Sequence, residues 1–135
     1  MEVNFALLAE HVSEGSDGKI SVVGIFDQIW TTSSYLTFPR MFAAIRLHAS
    51  VVEGSEHAIE LVIVDDDGHA VLPKSPPIPV SFFPSGPGRP MRGQVVAQFD
   101  AIRFPRFGDY ELNVFVDGRP LASVPFSVSE LERRG

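Results

Sequence analysis

Three groups of residues in this 135-residue sequence have types and spacings that could do chemistry. The first is Asp65, Asp67 and His69. They alternate, so on an unbroken strand they share a face and could ligate a divalent cation through carboxylate and imidazole donors. Asp67-Gly68 is also the strongest hairpin signal in the chain, read as a two-residue loop whose positive φ angles suit both residues. A turn there breaks the alignment, so the expectation is a solvated hairpin with no metal. EF-hand spacing and a His-x-x-x-His pair are both absent from the sequence.

The second group is the four histidines. His11 falls near a strand end, His48 and His57 flank a hairpin across which they could meet, and His69 follows the next turn. A serine hydrolase would need a Ser on a sharp turn beside such a His, and no Gly-x-Ser-x-Gly occurs. With no Cys at all, thiol nucleophiles, disulfides and Cys-ligated zinc drop out. Ser85-Gly86-Pro87-Gly88-Arg89-Pro90 has the outline of a phosphate loop. Its prolines remove backbone donors and no helix follows, so it reads better as a crossover between sheets. The expectation is a chain that is not an enzyme and takes no cofactor.

The third group is Arg89, Arg92, Arg103 and Arg106 with Phe99, Phe104 and Phe107 among them, the ingredients of a nucleic-acid surface. On a strand Arg92 and Arg103 would stand about 30 Å apart. A formal charge of -6 also opposes binding to a polyanion. On these grounds nucleic acid is expected not to be a partner.

Recognition is expected elsewhere. Trp30, Tyr35, Phe38 and Phe42 bracket a Ser/Thr-rich segment with Arg40 at its rim, and that segment reads as a loop longer than a hairpin needs. Phe115 shares a strand face with Glu111 and Asn113 and reads as exposed. Trp30, Tyr35, Phe38, Arg40 and Phe115 are the expected contact residues for a protein partner or for self-association. A carbohydrate-stacking platform is the lesser alternative. The competing reading has the same rings folded back over an open sandwich end.

These residues need a scaffold, and the pattern names one. At 44% apolar and 21% charged, the chain is composed for a packed core and not for disorder. Apolar residues recur with period two, broken every ten or so residues by Gly, Pro, Asp and Ser. Tyr110, Leu112, Val114 and Val116 form the clearest inward set, and Asp117-Gly118 turns that strand back on Val124, Phe126 and Val128. Pro on both sides of Val80-Ser81-Phe82-Phe83 marks an edge or a crossing segment. The expectation is one antiparallel, immunoglobulin-like β-sandwich of seven to nine strands over residues 1–128, without substantial helix, and a C-terminal tail over 129–135.

Phe104-Pro105-Arg106-Phe107-Gly108-Asp109-Tyr110 resembles the approach to a late strand of immunoglobulin-like sandwiches. There a Gly two residues before a Tyr lets the phenol hydrogen-bond back across the corner. Ala6-Leu7-Leu8-Ala9-Glu10, Asp17-Gly18-Lys19-Ile20, Gly24-Ile25-Phe26-Asp27 and the Val-Asp-Gly turn at Val116 are similar to a small bacterial family of uncharacterised proteins. The resemblance implies a fold, with Gly108 and Tyr110 as structural residues, and it implies no chemistry. An acidic N-terminus without a signal-like apolar run, and no stretch of roughly 18 apolar residues, lead to the expectation of a cytoplasmic protein away from membranes.

Overall fold

The computed structural model describes residues 1–32 and 36–131, with Leu36 described in its backbone alone. Eleven strands form two sheets among these residues. The first sheet runs in the order β2 (Ile20–Phe26), β1 (Glu2–Glu14), β4 (Leu36–Ala49), β9 (Met91–Phe104), β8 (Phe83–Pro84). The second runs β3 (Gln28–Thr31), β11 (Arg119–Glu130), β10 (Gly108–Val116), β5 (Glu56–Asp65), β6 (Ala70–Leu72), with β7 (Ile78–Ser81) also paired to β5. All pairings are antiparallel except that of β3 with β11. The described helical structure is one 3-10 turn, Val51–Glu53.

Alternation builds the core. Leu8, Met41, Ile45 and Leu47 of the first sheet are fully buried, as are Ile59, Ile63, Leu112 and Val114 of the second. All belong to one apolar layer between the sheets. Each such aliphatic side chain stabilises the fold by about 1.5–3 kcal/mol through burial. Phe104, Tyr110 and Phe126 close one region of it, with ring centroids 5.0–5.8 Å apart.

Two sequence expectations are corrected. Eleven strands exceed seven to nine, because Ile20 to Trp30 is two strands: the chain crosses between sheets at Asp27, leaving β2 on β1 and placing β3 beside β11. The Pro-dense connection also contributes two short strands, β7 and β8. The long loop before Phe42 is mostly strand, since β4 starts at Leu36. Pro39 is tolerated there because β1 pairs with β4 only as far as Phe42, so one edge of β4 is free of that partner at Pro39. At the other terminus β11 extends to Glu130, with Ser129 and Glu130 opposite Trp30 and Thr31. Residues 132–135 of the expected tail lie outside the described residues.

Candidate functional site: two clamps and an open edge

Titratable side chains gather at the two ends of β5, each beside an Asp-Gly hairpin. At its C-terminal end Asp65 is buried, and its Oδ1 accepts the amides of Asp67 (3.0 Å) and His69 (2.8 Å). Backbone bonds from Asp65 to His69 (2.9 Å) and from Gly68 to Asp65 (3.1 Å) close a loop of three residues. Only Gly68 takes a positive φ, at 83°. The expected two-residue turn with both residues left-handed is therefore corrected. The Asp65 carboxylate claims the loop amides and sets the longer form.

Asp65, Asp67 and His69 do converge, with ligand atoms within 4.8 Å of one another. Two of the three already contact a cation, the Arg106 guanidinium. Arg106 Nη2 lies 2.9 Å from Asp66 and 3.3 Å from both Asp65 and Asp67. Burial pushes the Asp65 carboxyl up, but the two loop amides and the Arg106 charge outweigh it and leave it below its ordinary value. The Arg106 carbonyl in turn accepts the Tyr110 hydroxyl at 2.7 Å. Gly108, at φ 149°, supplies the corner between them.

At the N-terminal end of β5, His57 has a buried side chain between two acceptors. Its Nδ1 is 2.6 Å from Asp117 Oδ2, and its Nε2 is 2.9 Å from the Gly54 carbonyl. The ring stands edge-on to Phe82 at 4.8 Å. Asp117 also accepts the Ala58 amide at 2.9 Å and donates its own amide to Ala58 at 2.8 Å. This turn is a true two-residue hairpin, with Asp117 at φ 51° and Gly118 at 81°. Although His and Asp are paired here as in a hydrolytic dyad, Nε2 is engaged by the Gly54 backbone carbonyl. Glu53, one residue before Gly54, is held down to about 2 by the Met1 ammonium and the Ser50 amide.

A third feature is an unpaired strand edge. β9 pairs with β4 along its length, but on its other side β8 covers only Met91 and Arg92. From Gly93 to Asp100, no second strand is paired with this side among the described residues. Beside this edge lies an apolar groove of about 560 Å³, whose floor includes Leu61, Leu72, Ile78, Val95 and Phe99. Its far wall is the proline-rich segment after β6. That segment is strapped to β5 by Ser75, whose amide donates to Leu61 and whose Oγ accepts from it. Prolines offer no N–H, so they blunt the second sheet's edge while the first sheet's stays open. Ala101, opposite Pro39 and at φ 54°, ends the regular part of that edge.

The expected contact residues do not form one surface. Trp30 stands 58% exposed on β3, in the second sheet. Phe38 and Arg40 belong to β4, in the first. Phe38 packs on Phe26 at 6.2 Å and Arg40 is paired with Asp100 at 3.2 Å. Phe115 is half-buried beneath Lys74, whose Nζ is 4.0 Å from the ring. Tyr35 lies outside the described residues. His48 and His57 occupy opposite sheets and do not meet. Phe99 and Phe104 are core, and Phe107 packs against it, so the arginine–phenylalanine series is not a surface array. The His57–Asp117 pair and the β9 edge escaped sequence reasoning. The Val-Asp-Gly turn was a partial signal for the first.

Fold and clamps together define an all-β, two-sheet domain whose clustered charges tie connections to strands. The chain belongs to the family of unknown function DUF6941, whose profile matches residues 4–129. No curated protein matches it. Among solved structures the chain is similar to Pseudomonas fluorescens alkylpurine DNA glycosylase AlkC bound to DNA containing an abasic site analog. That likeness has 12% identity and a TM-score of 0.46, and it covers 91% of this chain and 30% of that one. The chain thus spans less than a third of that protein's length. The partner expectation, which set nucleic acid aside on charge and position, is corrected by this finding: the similar structure holds DNA, so the exclusion does not stand. At this TM-score the likeness carries no argument for DNA binding here. No described helix is long and apolar enough to cross a membrane.

Proposed function

We propose that this chain is a non-catalytic interaction module of immunoglobulin-like kind that takes an extended segment of a protein onto the open edge of β9. The observation that carries the reading is the stretch of β9 from Gly93 to Asp100, which has no second paired strand among the described residues and lies directly beside an apolar groove. An added strand would satisfy the outward backbone groups of Gln94 to Asp100 and place alternate apolar side chains into the groove. The immunoglobulin-like assignment draws support from the Tyr110 hydroxyl, which bonds to a backbone carbonyl four residues upstream. The non-catalytic assignment draws support from His57, whose two ring nitrogens are both engaged, and from Arg106, which sits among the acids.

Selection of binders from a random peptide display library tests the proposal. The expected binders are extended and alternate apolar residues, and they protect the outward-facing amides between Gln94 and Asp100 from hydrogen exchange. Ala97→Arg, which places a charged side chain in the groove, should weaken them by at least tenfold. Binders that protect β3 around Trp30 instead, or that tolerate Ala97→Arg, would overturn the assignment.

A further inference from the structure

The surroundings of His57 have a consequence separate from the β9 edge. A carboxylate and a backbone carbonyl can only accept hydrogen bonds, so with both ring nitrogens at bonding distance each nitrogen must donate. Neutral imidazole has one N–H. The geometry therefore calls for the imidazolium, inside a site where the side chain is 5% exposed. Both acceptors belong to connections: Gly54 ends the turn between β4 and β5, and Asp117 opens the β10–β11 hairpin.

We propose that His57 is the proton-operated pin of a latch that joins these two connections, closed when the ring carries two protons and half-released when it carries one. Losing a proton leaves one of the two acceptors without its donor, so the net contribution of one hydrogen bond to a charged ring is lost. Water has access to the site, because a cavity of about 480 Å³ opens beside His57 and Asp117.

Of the charged groups around the ring, the acids Asp117 and Glu53 favour the closed form. Asp117 faces Nδ1 from the hairpin, and Arg119 lines the same cavity from β11. From the other connection come Glu53 and the Met1 ammonium that neutralises it at 2.8 Å. Glu56, the neighbour on β5, is turned away to Ser81 Oγ at 3.0 Å. The Phe82 ring contributes no charge. The Asp117 hydrogen bond raises the imidazole above 6.5; burial opposes it and the Gly54 carbonyl adds to it. A group whose folded value is raised contributes stability fully present below its unfolded value and lost as pH rises through its folded value. The latch therefore loosens on the alkaline side of 6.5.

Nitrogen-15 NMR of the imidazole rings, with amide hydrogen exchange across the same pH range, tests this on the full chain. The expected result has both His57 nitrogens protonated at pH 6 and a midpoint above 6.5. As His57 titrates, protection factors at Ala58 and Asp117 should fall about five- to tenfold, the change that follows loss of one net hydrogen bond. The amides of Asp67 and His69, at the far end of β5, should keep theirs. A midpoint at or below 6.5, or protection at Ala58 and Asp117 that ignores the titration, would overturn the proposal. Asp117→Asn keeps a residue that accepts positive φ but removes the charge. It should lower the His57 midpoint; an unchanged midpoint also counts against the latch, and if this variant does not fold the wild-type titration decides.

Discussion

The same dipeptide, Asp-Gly, turns the chain at both ends of β5, yet the two ends are built differently. At Asp67-Gly68 the loop has three residues, only the glycine is left-handed, and the cation among the carboxylates is Arg106. At Asp117-Gly118 the loop has two residues, both left-handed, and the cation on the carboxylate is His57. The difference lies outside the dipeptide. Asp65 directly precedes the first loop and captures its amides with its carboxylate, whereas Val116 directly precedes the second and has no side-chain oxygen. The choice of cation then divides the ends by behaviour. A guanidinium keeps its charge at any physiological pH, and Asp66 chiefly, through its hydrogen bond, holds that of Arg106 still more firmly. An imidazole does not.

The comparison breaks most visibly if its titrating end is cut. Asp117→Ala leaves a β-branchless but still Cβ-bearing residue at φ 51°, strips His57 of its carboxylate and leaves the Ala58 amide without its acceptor. Backbone strain of about 1 kcal/mol and two groups losing partners should together cost about 2–4 kcal/mol. Urea unfolding measures it. A loss below 1 kcal/mol would show that the hairpin does not depend on His57.

The arginine end should yield less to a single atom. Tyr110→Phe removes only the hydroxyl that donates to the Arg106 carbonyl, leaving the stacked ring in place beside Phe126. The expected cost is about 1–2 kcal/mol. The urea midpoint should fall while the slope stays the same. An unchanged midpoint would mean that the corner is held by packing of Phe104, Tyr110 and Phe126 alone.

Solution pH sharpens the contrast without mutation. The Asp65 and Asp117 carboxyls both lie below 3.8, so each contributes stability that is present above 3.8 and lost as pH falls through the folded value. For Asp65, burial acts in the opposite sense and is outweighed by the loop amides and Arg106; for Asp117, His57 is the main cause. Acid should therefore loosen both hairpins together, and alkali above 6.5 only the His57 end. Hydrogen exchange resolved by residue at acid, neutral and alkaline pH would show it. Equal loosening of both ends in alkali would contradict the division.

These features were unequally legible in the sequence. Alternation from Tyr110 to Val116, the Gly108–Tyr110 spacing and the Asp117-Gly118 turn are local, and local chemistry settles them. His57 and Asp117 stand 60 residues apart and meet only because β10 lies beside β5 in one register, with Val116 opposite Ile59. No local pattern carries that register. The segment before Phe42 misled for a related reason. Pro39 and the Ser/Thr run read as loop, whereas the free edge of β4 there lets a strand hold a proline. The β9 edge was invisible because strand order decides which strand lacks a neighbour.

The smallest expected effect is the most exacting test of the comparison. Asp67→Ala makes at the first hairpin the change that Asp117→Ala makes at the second. Asp67 has a negative φ, so alanine fits its backbone without strain. Its amide keeps Asp65 as acceptor, since that bond uses the Asp67 main chain and not its side chain. What is lost is one of three carboxylate contacts to Arg106, at 3.3 Å, from a side chain 67% exposed. Exposed pairs of this kind contribute about 0–1 kcal/mol, and here Asp65 and Asp66 remain to hold the guanidinium. The expected change is therefore within about 0.5 kcal/mol, several times less than for Asp117→Ala. If the two substitutions cost the same, then the dipeptide governs both turns, and neither Asp65 nor His57 has the structural part assigned to it.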